Sequence, residues 1–240
     1  MIDIAVFQAI PGETGEPLEE FSLKDEYRPE EWRKGRFKGV VQRGTYRGLE
    51  IVLAQTGIWS SSGRLGNTQA KEVAEFVLNR FPVEKIVILG TSGGMKESLK
   101  TGDIVICDPI FAERRFLFWT RILPPIFPDS RLQALAIKIL KEKSINFYNG
   151  GDLMIPYYGW PKRRYPDIAV IEMEDYYIGE EAKKKKVPFV AVRVVSEPFG
   201  EEIIPREKRT KEYQAWLDAR YRKITTILRD GFLLPFLQQL

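Results

Sequence analysis

Lys85-Ile86-Val87-Ile88-Leu89-Gly90-Thr91-Ser92-Gly93-Gly94, residues 85–94, is the stretch whose reading decides the fold class. Its first half is an apolar, β-branched run without polar alternation, the pattern of a strand covered on both faces. Its second half is glycine-rich and reads as a loop at the carboxyl end of that strand. Glycines let a ligand approach the backbone, and Thr91 and Ser92 add hydroxyls and amides. A plain tight turn fits the same residues equally well. No Gly-Lys-Ser/Thr follows, so the stretch is not a Walker loop, and it does not match GxGxxG.

Working outward, residues 2–9 read as a buried strand and residues 11–36, rich in Pro, Gly and Glu, as a loop. Phe37–Val41, a turn at Gly44–Gly48 and a strand at 49–55 read as a hairpin. Residues 56–63 form a small-residue loop. Residues 65–81 have helical spacing, with Val73, Phe76 and Val77 on one face. Asp103–Ile106 reads as a strand, 132–140 as a helix, 168–173 as a strand, 175–186 as a helix and 188–195 as a strand. The lysines at 183–186 fall at a helix C-terminus, where positive charge suits the dipole. An amphipathic helix over 210–228, stopping near Gly231, completes a single domain spanning 1–240. There is no internal repeat. The alternation of strands and helices indicates an α/β domain, whose ligands sit at the carboxyl ends of strands.

Composition removes several chemistries. The 240 residues are 44% hydrophobic and 29% charged, a globular balance. No apolar run approaches the ~20 residues that cross a bilayer. The first residues enter a strand directly, so no secretory signal is expected. Cys107, the one cysteine, cannot form an internal disulfide and reads as a buried structural thiol, which fits a cytoplasmic setting. The net charge of +4 comes from scattered clusters that read as solvated surface, so neither a nucleic acid nor a membrane is expected as partner. The chain has no histidine, which excludes imidazole-based triads and dyads and most zinc sites. Acid–base work falls to carboxylates, Lys, Tyr or water.

Two more strand ends draw attention beside the glycine stretch. In Ile171-Glu172-Met173-Glu174, a continued strand points both glutamates to one face, where a carboxylate accepts hydrogen bonds from a vicinal diol. Charge at a helix N-terminus explains the same residues. Val194-Val195-Ser196-Glu197 ends another apolar strand, and Glu13 follows the first. Singly, these two carboxylates also read as exposed loop residues.

Taken together and in this order, the segments resemble the nucleoside phosphorylase and nucleosidase superfamily, most closely the 5′-methylthioadenosine/S-adenosylhomocysteine nucleosidases. The matching stretches are Ile4 to Glu13, Thr56-Gly57-Ile58 through Thr68, Ile88 to Gly94, Leu99 to Val105, Gly151-Asp152, Ile171 to Glu174, Val187 to Arg193, and Ser196-Glu197. The resemblance implies a three-layer α/β/α fold with a mixed central sheet, a homo-oligomer, no cofactor and no metal. It implies that a purine nucleoside is cleaved at its N-glycosidic bond. Glu197 protonates the base at N7, Glu174 holds the ribose hydroxyls with Met173 against the sugar, and Glu13 activates water. Thr91, Ser92 and Gly93 line the site, and Met154, Ile155 and Phe199 flank the purine, although core packing explains the last three as well. The family normally has Asp where Glu197 stands and Phe where Met154 stands.

Hydrolysis is favoured over phosphorolysis. Ile88-Leu89 stand where hexameric phosphorylases carry Arg, the histidine of their 5′ site is missing, and Glu13 would repel phosphate. Against this, Gly44–Gly48 is phosphorylase-like, and Arg43 and Arg64 could meet a phosphate. A non-catalytic, nucleoside-binding member is the other alternative.

Overall fold

The computed structural model describes residues 1–8, 20–28, 39–57, 66–115, 120–155, 165–201 and 210–240. Among them are ten strands: β1 (Ile4–Gln8), β2 (Ser22–Tyr27), β3 (Val40–Tyr46), β4 (Leu49–Gln55), β5 (Ile86–Gly94), β6 (Ile104–Arg115), β7 (Thr120–Ile122), β8 (Phe147–Met154), β9 (Ile168–Glu172) and β10 (Phe189–Glu197). The helices are α1 (Gly66–Arg80), α2 (Ser130–Glu142), α3 (Asp175–Lys185), α4 (Lys211–Leu228) and α5 (Leu234–Leu237).

The strands form one mixed sheet in the order β10-β6-β8-β9-β5-β1-β4-β3-β2, with β7 on β6. Because β10 also pairs with β5, strands β10, β6, β8, β9 and β5 close into a ring from which the other strands extend. β1 pairs with β5 and β5 with β10 in parallel, as their apolar first halves require, while β9 meets β5 and β6 meets β10 antiparallel.

Side chains alternate strictly between two cores. Ala5, Phe7, Ile86, Ile88, Ala191 and Val195 pack with α1 and α3, while Ile4, Val6, Val87, Leu89, Val190, Val192 and Val194 pack with α2, α4 and α5. This period of two against helices on both faces is the three-layer arrangement. In α2, Leu132, Ala136, Ile139 and Leu140 form the buried stripe, and Asp129 caps the helix by accepting from the backbone N–H of Arg131 and Leu132. Such a cap contributes ~1 kcal/mol.

Several boundaries differ from the sequence reading. Residues 11–36 contain a strand, β2, whose Ser-Leu-Lys-Asp-Glu-Tyr sequence lies at the outer edge of the sheet. The hairpin turns at Arg47–Gly48, both at positive φ, and Gly44, Thr45 and Tyr46 belong to β3. The glycine stretch is the second half of β5 rather than a loop. β6 runs on to Arg115, and β8 was not foreseen. Gly231 does not stop the last helix, because a π-helical segment (Arg229–Leu233) carries the chain into α5 and buries Phe232 and Phe236. The lysine run does end α3, with Lys186 as a left-handed cap.

Candidate active site

The carboxyl end of β5 lies between two other strand ends. Gly93 is the register partner of Glu197 on parallel β10 and of Ile171 on antiparallel β9. One residue thus brings together the Ile171–Glu174 segment and the Ser196-Glu197 segment. A side chain is poorly tolerated beside it: a Cβ on Gly94 would lie 3.2 Å from Val195 Cγ1. On the far side of β9, Met154 pairs with Glu172, and the buried Ile155 donates its N–H to the carbonyl of Glu172.

Arg193 organises the interior. It is 1% exposed on an otherwise apolar strand, so its charge requires partners. Nε donates to Asp175 Oδ2 at 3.0 Å and Nη2 donates to Asp175 Oδ1. Nη2 also reaches Glu172 Oε2 at 3.1 Å and Glu174 Oε2 at 3.6 Å. Nη1 donates to the carbonyl of Thr91 at 3.3 Å, tying the guanidinium to the glycine stretch.

β9 ends at Glu172, so Glu172 and Glu174 do not share a strand face. They meet instead at Arg193, because Glu174 takes the N-cap position of α3. Glu172 does the capping: its Oε2 accepts from the backbone N–H of Glu174 and, at 2.9 Å, of Asp175. Its Oε1 is buried without a hydrogen-bond partner among the described residues, as are both carboxyl oxygens of Asp152. Burial, then the charge of Asp175, pushes the Glu172 carboxyl well above the usual carboxylate range, and Arg193 opposes this. Asp152 is pushed the same way by burial, then by Glu172 and Asp175. Both shifts favour the neutral form and so reduce the negative charge that faces the Arg193 guanidinium. Cys107 is the buried thiol expected; burial, then Asp152, raises its pKa. Cys107, Asp152 and Asp175 lie close enough to suit a cation, but both Asp175 oxygens are engaged by Arg193.

Glu197 is half-buried. Its Oε1 accepts from Tyr221 Oη of α4 at 2.7 Å, and its Oε2 lies against Ser196 Oγ. Ser196 Oγ is also 3.1 Å from the carbonyl of Ser92. The Ser92 hydroxyl is buried without a partner among the described residues. Met173 is half-buried between Glu172 and Glu174, and Phe199 is half-buried in the turn after β10.

The structure therefore gathers Thr91, Ser92, Gly93, Glu174 and Glu197 around one sheet junction, with Met154 at the end of β8 and Ile155 directly after it. Glu13 and Arg64 lie outside the described residues. Arg43 sits on β3 with its guanidinium 3.3 Å from Glu50 and 3.6 Å from Asp25. Sequence reasoning gave no role to Arg193, Asp175 or Tyr221. The available signal was Arg193 itself, a cation at an inward position of an apolar strand.

Fold and junction together define a three-layer α/β/α protein with a buried acidic centre at its strand ends. The chain belongs to the phosphorylase superfamily, whose family model matches residues 3–230. Among relatives, the 5′-methylthioadenosine/S-adenosylhomocysteine nucleosidase of Actinobacillus succinogenes is 29% identical over 177 residues, covering 66% of this chain and 72% of that protein. Two solved structures share the fold. The 5′-methylthioadenosine/S-adenosylhomocysteine nucleosidase of Campylobacter jejuni has a TM-score of 0.77 at 17% identity, covering 100% of both chains. The futalosine hydrolase of Helicobacter pylori has a TM-score of 0.76 at 19% identity, covering 100% of this chain and 98% of the other.

Proposed function

We propose that this chain is an enzyme that hydrolyses the N-glycosidic bond of a purine nucleoside, with a methylthioadenosine-like nucleoside as substrate. The observation that carries the reading is the double register of Gly93, which sets Glu197 and the Glu174 segment beside one point. The names of the similar proteins, nucleosidases and a hydrolase, support water as the attacking species.

Glu174, anchored beside Arg193, accepts hydrogen bonds from the ribose hydroxyls, with Met173 against the sugar. Glu197 gives a proton to N7 of the purine as the C1′–N9 bond breaks. The leaving base then departs neutral, and the ribose develops oxocarbenium character. Glu13 takes a proton from the attacking water. Ser92 and Thr91 bind at the same edge, and Met154, Ile155 and Phe199 flank the base. The chemistry calls for no cofactor or metal. A cytoplasmic location and a homo-oligomeric assembly belong to the same proposal; no helix among the described residues is long and apolar enough to cross a membrane.

The test is incubation with a panel of purine nucleosides that includes methylthioadenosine, with and without phosphate. Base and free sugar should appear at the same rate in both. Base release that requires phosphate, with a sugar phosphate as product, overturns hydrolysis. Binding without turnover, unchanged by Glu174→Gln, overturns catalysis.

A further inference from the structure

We propose that Tyr221 is a positioning residue for Glu197: its hydroxyl holds Oε1 and leaves Oε2 as the oxygen that delivers the proton. The inference rests on the reading of Glu197 as the proton donor.

A glutamate at this position carries its carboxyl one methylene further from β10 than an aspartate would, with one more torsion to fix. Proton transfer is sensitive to displacements of that size. The carboxyl is met by α4, which packs against β10, with Tyr221 Oη 2.7 Å from Oε1. The helix is fastened at the same place. Arg220, the preceding residue, donates from Nη2 to the carbonyl of Ser196 and, at 2.9 Å, to Thr101 Oγ1. It also pairs with Glu201. The position of Tyr221 is therefore tied to the strand end that carries Glu197.

The chemistry of the partners gives the network a direction. A carbonyl only accepts, so the hydroxyl of Ser196, 3.1 Å from Ser92 O, has an acceptor there for its single proton. The same hydroxyl donates to Glu197 Oε2 when the carboxyl is ionised; with its proton turned to Ser92 O it presents a lone pair to a protonated Oε2. Tyr221 donates to Oε1 in either protonation state. When a bound purine replaces Ser196 Oγ as acceptor, the Oε2 proton turns to N7: the O–H bond breaks, the N–H bond forms and the carboxyl becomes an anion. The Tyr221 hydrogen bond then becomes charge-assisted and stronger, and Ser196 can swing its proton from Ser92 O to Oε2. An interaction that strengthens during the chemical step acts on kcat rather than on ground-state binding.

The experiment compares wild type with Tyr221→Phe, which keeps the ring and removes the hydroxyl. Two substrates are used: a purine nucleoside, whose base must be protonated to leave, and 4-nitrophenyl β-ribofuranoside, whose phenolate leaves without a proton. The expected result is kcat about ten- to a hundredfold lower on the purine nucleoside, with KM within about threefold. The nitrophenyl riboside should change by less than about threefold. A double-mutant cycle gives a second measure, and decides alone if wild type does not turn over the nitrophenyl riboside. In a Glu197→Asp background the carboxyl is withdrawn from Oη, so Tyr221→Phe should add less than about twofold. Equal loss on both substrates, no loss on either, or full loss retained in the Glu197→Asp background overturns the inference alone. A wild-type chain that releases no base from any purine nucleoside overturns the functional reading and this inference with it. Matching melting curves for wild type and Tyr221→Phe establish that folding is not the cause.

Discussion

Replacing Arg193 with methionine removes the cation that, among the described residues, pairs with the buried acidic centre, while keeping an unbranched apolar stem. Arg193 satisfies both oxygens of Asp175, reaches Glu172 and Glu174, and donates to the carbonyl of Thr91. Removing one partner of a buried ion pair costs about 3–5 kcal/mol, because the remaining charge has no compensation. For a chain of this size each kcal/mol lowers the melting midpoint by about 2–4 °C, so a fall of roughly 6–20 °C is expected. The loss should depend on pH. Arg193 opposes the upward shift of Glu172 and Asp152, so without it both carboxyls hold protons to still higher pH. A carboxyl whose folded pKa is raised contributes stability below the ordinary carboxylate range and loses it as pH rises through the folded value. The variant's deficit therefore grows across the pH range in which these carboxyls have ionised in folded wild type and still hold their protons in the variant. Urea unfolding followed by circular dichroism over a series from roughly pH 4 to 10 measures it, and Arg193→Met with Asp175→Asn should recover part of the loss. A deficit below about 1 kcal/mol, far under the cost of a broken buried pair, or one independent of pH, refutes the reasoning.

Glu174→Gln should lower kcat/KM on a purine nucleoside by about 10²–10³-fold with an unchanged circular dichroism spectrum; steady-state kinetics check this, and an unchanged rate removes Glu174 from the reaction. Asp152→Asn should gain stability on wild type as pH rises above about 4, because the raised Asp152 carboxyl costs the folded state progressively more once the unfolded chain ionises; melting midpoints across pH 4–8 should diverge, and parallel curves count against the assignment. Gly151→Ala places a Cβ 2.5 Å from the backbone carbonyl of Asp167, with no flexible side chain to give way. Its cost should be about 1–3 kcal/mol in urea titrations.

The fold was legible wherever periodicity and burial agree. The first half of β5, β9 up to Glu172, and β10 apart from Arg193 and its last two residues are apolar runs, and α1, α2 and α4 show helical spacing. β2 was missed because an edge strand packed on one side carries no apolar alternation; its side chains are mostly exposed and polar. β8 was missed because Asn149, Gly150 and Gly151 are turn residues by local preference. They occupy a strand because β9 approaches too closely for side chains: a Cβ on Gly150 would lie 2.6 Å from that of Ala169. The glycines of β5 misled in the same way. Glu174 and Glu197 are expected from sequence to share a site, because the order of their segments along the chain carries the resemblance, and their strand ends do meet beside Gly93. Asp175 could not, since an acidic residue opening a helix needs no further explanation until Arg193 is found beside it. Tyr221 is 24 residues from Glu197, with nothing local to connect the two.

The ring of β10, β6, β8, β9 and β5 has no open side among its members, and that governs how the molecule tolerates change. In an open sheet a strand displaced by mutation or thermal motion can shift toward the free edge. Here each strand is hemmed by two others, so a displacement must be shared around the circuit. The distance between the two carboxylates is then set by backbone geometry rather than by the connecting segments. Sequence change in those segments therefore leaves the spacing between Glu174 and Glu197 fixed.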